Sequence, residues 1–408
     1  MKGEQALVPK LRFGEFEGRW SRNSIGHIFS FKQGVQCPVE DQFASMQKGL
    51  VRFIRIIDLT QADEKPRYIK DPGSEHHVQT SDLFMVRYGS PGLVGYRYSG
   101  VIANNLFRIM PHKPHKTDND FFYHLFGSIN KEIEAISGSS TMPAISFKTL
   151  NTLFISTPSL PEQEKIAAFL TSVDDRIDQL KRKKSLLQDY KKGAMQKLFS
   201  QELRFKDEQG KDFPDWEEKK LGELGETYGG LSGKSGGDFG EGKPYVTYSQ
   251  IFGSSVIDIE KCKLVRIDED DRQNQIKKGD ILFTTSSETR LEVGFTSVVL
   301  EEPNEVYLNS FCFGFRLNSF DALRPEFARY LFHSSEVRRS IAVLGQGSTR
   351  YNISKKELMK QELLLPTVPE QTKIANFLSS LDQKIEQVDT QITQTQTFKK
   401  GLLQQMFV

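Results

Sequence analysis

Only three cysteines, Cys37, Cys262 and Cys312, occur in 408 residues, and they stand far apart. They form neither a Cys-x-x-Cys pair nor a disulfide framework, which points to a reducing, cytoplasmic setting. No apolar run reaches the roughly 18 residues of a membrane span, and Met1–Lys10 lacks the apolar core of a secretory leader. Charge of one sign is also scarce, because 55 Lys+Arg against 53 Asp+Glu leave a formal net charge of +2. Net charge alone therefore gives no nucleic-acid signal. Its distribution is uneven: residues 1–160 hold 19 basic against 15 acidic side chains, whereas residues 201–368 hold 23 against 28. A chain of this kind that binds nucleic acid must cluster its basic groups or borrow phosphate contacts from a partner.

Catalytic signatures are missing as well. Gly233-Lys234-Ser235 has the end of a phosphate-binding loop, but Tyr228 occupies the position where that loop needs its first glycine. There is no Asn-Pro-Pro-aromatic tetrapeptide and no glycine-rich cofactor loop after a strand. His76-His77 and the pair His112 and His115 have no partners at metal-ligand spacing. The chain is read as having no catalytic site, no metal site and no cofactor of its own.

What is present is a long-period repeat. Pro161-Glu-Gln-Glu-Lys-Ile-Ala-Ala-Phe-Leu170 returns as Pro369-Glu-Gln-Thr-Lys-Ile-Ala-Asn-Phe-Leu378, 208 positions later. An ungapped match of 161–200 to 369–408 gives 18 identities in 40 positions, including Lys191-Lys-Gly193 with Lys399-Lys-Gly401. Ile145-Ser146 and Pro158 match Ile353-Ser354 and Pro366 at the same offset. Leu11-Arg12-Phe13 with Trp20 parallels Leu203-Arg204-Phe205 with Trp216. Between these anchors the halves diverge, so the frame is duplicated and the middles are not.

Each repeat closes on a helical pattern. Ile166, Leu170, Val173, Ile177, Leu180, Lys184, Leu187, Lys191, Ala194 and Leu198 alternate by four and three, as do their counterparts from Ile374 to Met406. Pro161 and Pro369 suit the first turn, and Glu162 and Glu370 suit the positive helix end. About 38 residues make a rod of roughly 57 Å. Two such rods, interrupted by lysine and threonine, are expected to pack antiparallel on each other.

The middles predict an α+β fold. Apolar runs at Val51–Ile57, Asp82–Val86, Asp280–Phe283 and Phe311–Phe315 lie between Gly, Ser, Asn and Pro clusters, and helices are expected near Asp120–Ser128 and Pro325–Val343. Glycine-flexed loops carry the side-chain types that contact phosphates and base edges. Arg87, Arg97, Lys234, Arg290 and Arg350 are the leading candidates for DNA contact, followed by Tyr88, Ser90, Asn104, Thr141, Ser286, Asn309, Ser348 and Tyr351.

The repeated Pro-Glu-Gln-x-Lys-Ile-Ala-x-Phe-Leu segment closely resembles the conserved helix of type I restriction–modification specificity subunits. Gly279-Asp-Ile-Leu-Phe283 and, more loosely, Ser81-Asp-Leu-Phe84 are similar to a strand of that family. The resemblance implies target-recognition domains at 1–160 and 201–368 and long spacer helices at 161–200 and 369–408, arranged with pseudo-twofold symmetry. It further implies that each domain reads one half of a bipartite site in double-stranded DNA, with the helices setting the gap. Two modification (methyltransferase) subunits, which carry the S-adenosylmethionine, and restriction subunits with helicase and nuclease activity are the implied partners. Ile166, Leu170, Lys191, Gly193, Ile374, Leu378, Lys399 and Gly401 are the expected partner-binding positions. The alternative reading is a non-catalytic coiled-coil scaffold whose two domains bind proteins or ligands; a fused DNA-modifying enzyme is weaker still.

Overall fold

The computed structural model describes residues 7–61, 63–137 and 143–408. The chain divides into two compact units, residues 1–181 with 389–408, and residues 182–388. The two long helices, Leu160–Phe199 and Val368–Met406, match the periodicity closely, and each contributes one end to each unit.

The first unit is built on two four-stranded sheets. One runs in the order Phe29–Gln33, Leu106–Pro111, Leu83–Val86, Val94–Gly95; the other runs Arg67–Lys70, Leu50–Ile54, Gly100–Ile102, His77–Val78. All four residues of Leu83–Val86 are buried, so this strand reads as a continuous apolar run rather than an alternation. The second unit repeats the plan. Its main sheet runs Gly225–Gly229, Cys312–Leu317, Ile281–Thr284, Thr296–Val298, and a three-stranded sheet is centred on Phe239–Val246.

Several sequence expectations shift by a few residues for local reasons. The run Val51–Ile57 forms a strand only as far as Ile54, because Asp58 accepts the Arg55 backbone N–H at 2.8 Å and opens the short helix Ile56–Thr60. The helix expected over Pro325–Val343 is two helices, Pro325–Leu331 and Ser335–Val343, the second capped by Ser334. Two short strands, Ser286–Ser287 and Tyr351–Asn352, pair where no apolar run marks a strand in the sequence.

The aspartate of the strand motif is a clamp. Asp280 is buried and accepts Arg316 Nε at 2.9 Å, Arg316 Nη2 at 2.7 Å and the Tyr228 hydroxyl at 2.5 Å. In the first unit Asp82 and Arg108 make the same strand-to-strand pair at 2.8 Å. Gly279 has a positive φ of +90°, and a Cβ there would stand 2.3 Å from the Phe320 ring, so the tight entry into this strand requires glycine.

The Pro-Glu-Gln motif seats each helix on its own unit. Glu162 accepts Arg12 at 2.7 and 2.8 Å and the Trp20 indole N–H at 3.2 Å, while Gln163 bonds the Pro158 carbonyl and the Asp118 backbone N–H. Glu370 makes the same set with Arg204 and Trp216, and Gln371 with Pro366 and Arg324. All four motif side chains are buried. Within each unit the start of one long helix lies antiparallel to the end of the other. In the first unit Glu162 and Phe407 share Trp20 as a neighbour, and Asp174 meets Lys399. In the second unit Glu370 and Phe199 share Trp216, and Asp382 meets Lys191.

Candidate nucleic-acid interface

Three loops leave one end of each main sheet. In the first unit they follow Gln33, follow Val86 and precede Leu106; in the second they follow Gly229, follow Thr284 and precede Cys312. Their backbones are tied alike. The Arg87 N–H bonds the Asn105 carbonyl and the Arg87 carbonyl accepts from Ile145, just as Thr285 bonds Phe311 and accepts from Ile353. Gly34 and Gly230 pass so close to the neighbouring loop that a Cβ would sit 2.2 and 2.1 Å from the Ala103 and Asn309 carbonyl oxygens. The shared backbone places unlike side chains at the same places: Arg87 opposite Thr285, and Asn105 opposite Phe311.

In the first unit Arg87, Tyr88 and Asn104 come together. Arg87 donates to Gln33 Oε1 at 2.7 Å and to the Ile145 carbonyl, and its guanidinium lies 4.8 Å from the Phe147 ring centroid. The Asn104 carbonyl accepts from Gln33 and from the Tyr88 hydroxyl, and its side chain reaches Gln36. Ser90 is exposed on the adjoining loop. Thr141 lies outside the described residues. Arg97 does not join this group. It pairs with Asp120 at 3.2 Å and Asp175 at 4.0 Å, in a cavity of about 380 Å³ that also contains Tyr96, Asp174, Lys181 and Lys399. Its charge is turned toward the long helices instead of the loops.

In the second unit Ser286, Arg350, Tyr351 and Asn309 converge. Arg350 Nε donates to Ser286 Oγ at 3.0 Å, Tyr351 pairs with Ser287 across the short ribbon, and Asn309 Oδ1 accepts the Phe311 N–H at 2.9 Å. Ser348 is exposed on the tip of the Arg350 loop. Ser286 itself is buried, so it positions Arg350 instead of facing solvent. Two of the candidate cations are engaged within the unit. Lys234 is enclosed by Asp271 and Asp268, its side chain only 6% exposed, so its charge is already neutralised. Arg290 donates to the carbonyls of Ala342 and Val343 and satisfies the end of the helix Ser335–Val343. Sequence reasoning missed Phe311, 59% exposed beside Arg350, because an aromatic within an apolar run reads as core.

On the helices the expected partner positions divide. Ile166, Leu170, Ile374 and Leu378 are buried in the cores of their own units, so these four side chains are not exposed to another chain. Lys191 and Lys399 are held by Asp382 and Asp174. Gly193 and Gly401 are half-buried, and a Cβ on either would meet nothing within 4 Å.

The buried histidine beside these pairs, His124, has its Nδ1 3.8 Å from Asp174 Oδ2. Burial, reinforced by the Lys399 charge, pushes its pKa down to about 3. Among the described residues, no group of three His, Cys, Asp or Glu side chains is placed to hold a metal, and no helix is long and apolar enough to cross a membrane.

The chain matches the family described as the type I restriction modification DNA specificity domain over residues 20–188 and 214–395. It is 24% identical over 356 residues to the type I restriction enzyme MjaVIII specificity subunit of Methanocaldococcus jannaschii, covering 83% of this chain and 80% of the relative. It is 21% identical over 400 residues to the Escherichia coli EcoBI specificity subunit, covering 91% and 81%. A crystal structure of the type I restriction-modification S subunit from M. genitalium shares the fold at a TM-score of 0.58 and 18% identity, covering 98% of this chain and 99% of that one.

Proposed function

We propose, from the premise that the chain belongs to the type I restriction–modification DNA specificity family, that it recognises a bipartite DNA target, one half-site per unit. The observation that carries this reading is the contrast between frame and loops. Both units keep the aspartate–arginine clamp and the Glu-Gln helix seat, yet unlike side chains stand at equivalent loop positions, as in Arg87 against Thr285 and Asn105 against Phe311. Selection that preserved a scaffold and varied its tips fits two independent readers better than one binding surface. The long helices set the gap between half-sites and dock two methyltransferase subunits, which bring the S-adenosylmethionine; restriction subunits complete the assembly. The chain itself then holds no catalytic site and works in the cytoplasm, where its DNA is.

Module exchange tests the reading. Replacing residues 206–360 with the corresponding stretch of a relative, and mapping methylated positions with the partner subunits present, should change one half-site and leave the other intact. A change in both halves would sink the two-reader assignment.

A further inference from the structure

Of the five leading candidate cations, four have at least one terminal nitrogen already bonded inside the chain. Arg97 pairs with Asp120, Lys234 with Asp271 and Asp268, Arg290 with two helix-end carbonyls, and Arg87 with Gln33 and the Ile145 carbonyl. Arg350 differs. Only its Nε is used, on Ser286 Oγ at 3.0 Å, and neither terminal nitrogen has a hydrogen bond or ion pair among the described residues.

Its mounting is rigid. Gly347, at φ +130°, turns so tightly that a Cβ there would stand 2.1 Å from the Arg350 carbonyl oxygen, and the next two residues are locked in the ribbon with Ser286–Ser287. Phe311 supports the guanidinium from the side, 5.9 Å from ring centroid to Cζ. The Phe311 backbone is pinned at both ends, its N–H on Asn309 Oδ1 and its carbonyl on the Thr285 N–H. A phenylalanine fixed in this way, yet 59% exposed, keeps apolar area in water that a partner surface would cover. A pre-oriented arginine fork matches the O6 and N7 acceptors of guanine, and an aromatic edge beside it matches the C5 methyl of thymine.

We infer that Arg350 and Phe311 form one reading head that recognises a guanine next to a thymine in the half-site read by the second unit. The inference rests on the DNA-reading function proposed above and adds the identity of two bases and the residue assigned to each.

The test uses the full chain assembled with its methyltransferase partners, selecting from DNA duplexes randomised at the target. Wild type should enrich a bipartite site with a guanine–thymine neighbour pair in one half. Arg350→Ala should lose preference at the guanine alone, worth roughly 5-fold to 150-fold, and Phe311→Ala at the thymine alone. Base analogues give a readout on unmodified protein, independent of any effect of substitution on folding. 7-Deazaguanine, which lacks the N7 acceptor, should weaken wild type about tenfold, and deoxyuridine, which lacks the methyl, about fourfold. Each alanine variant should be indifferent to the analogue of its own base. A selected site without that base pair of neighbours overturns the inference while leaving the two-reader function standing. So does an Arg350→Ala variant that weakens all sequences alike with a flatter salt dependence, the mark of a phosphate contact. Failure of wild type to enrich any sequence would overturn the DNA-reading function itself, and the inference with it.

Discussion

Lys399 donates to Asp174 Oδ2 at 2.7 Å with Oδ1 2.6 Å from the same ammonium, and the duplication repeats the pair with its direction reversed. Asp382 is the equivalent of Asp174, Lys191 is the equivalent of Lys399, and these two pair within the other unit. In one unit the acid comes from the first long helix; in the other it comes from the second. Each long helix therefore carries one acid and one base, and both are needed twice. The neighbour on the globular side differs, His124 in the first unit and Tyr330 in the second, whose hydroxyl donates to Asp382 at 2.7 Å.

The ion pair should behave as a coupled unit. Asp174→Asn and Lys399→Met each lower stability, and the double variant loses less than their sum. Both side chains are mostly covered, 27% and 21% exposed, so a coupling of about 1 kcal/mol is expected from urea unfolding of the four-member cycle. Strict additivity would show that the pair contributes nothing beyond its separate members.

His124 should make the first unit acid-sensitive. Its folded pKa is lowered, from 6.5 to about 3, so the unfolded chain binds the extra proton between those values. The contribution is fully present above the unfolded pKa and is lost as pH falls, by about 1 kcal/mol per pH unit within that window. His124→Gln should remove nearly one proton's worth of slope in the middle of that window, between about pH 4 and 5.5, in denaturant titrations. An unchanged slope would mean that His124 does not titrate on unfolding in this range.

The two motif glutamates should be structural. Glu162→Ala leaves Arg12 part-buried without its carboxylate, and Glu370→Ala does the same to Arg204. Each should cost about 3 kcal/mol and expose its own unit to hydrogen exchange while the other unit keeps its protection. Loss of protection in both units from either single change would point to global unfolding.

The helix glycines should separate folding from assembly. With open space around a Cβ at Gly193 and Gly401, alanine at each should stabilise the chain by up to about 1 kcal/mol. Leucine at both should instead weaken capture of the methyltransferase subunit, measured by titration calorimetry. Undiminished capture would remove these faces from the docking site.

The spacing rule can be lengthened deliberately. Seven residues inserted after Leu180 and after Val388 preserve the helical register and extend both helices by about 10 Å. Mapping of methylated positions should then find a gap longer by up to about three base pairs. A fully assembled variant that keeps the parental gap excludes the helices as the ruler.

By itself the sequence determined the duplication and the two long helices, because these rest on local periodicity and exact recurrence. It marked Glu162 and Glu370 only as acids at a positive helix end. Their partners Arg12, Trp20, Arg204 and Trp216 are some 150 residues away, and only folding brings them to the carboxylates. The loops show the same division. Composition showed where arginine and lysine lie, but their availability depends on what the chain folds against them. Lys234 meets Asp271, Arg290 meets a helix end, and Arg350 keeps its fork free. Helix period is a property of neighbouring residues and survives in the sequence. The pairing of a charge with a distant counter-charge depends on tertiary contacts, and only the fold decides which cations remain free to bind DNA.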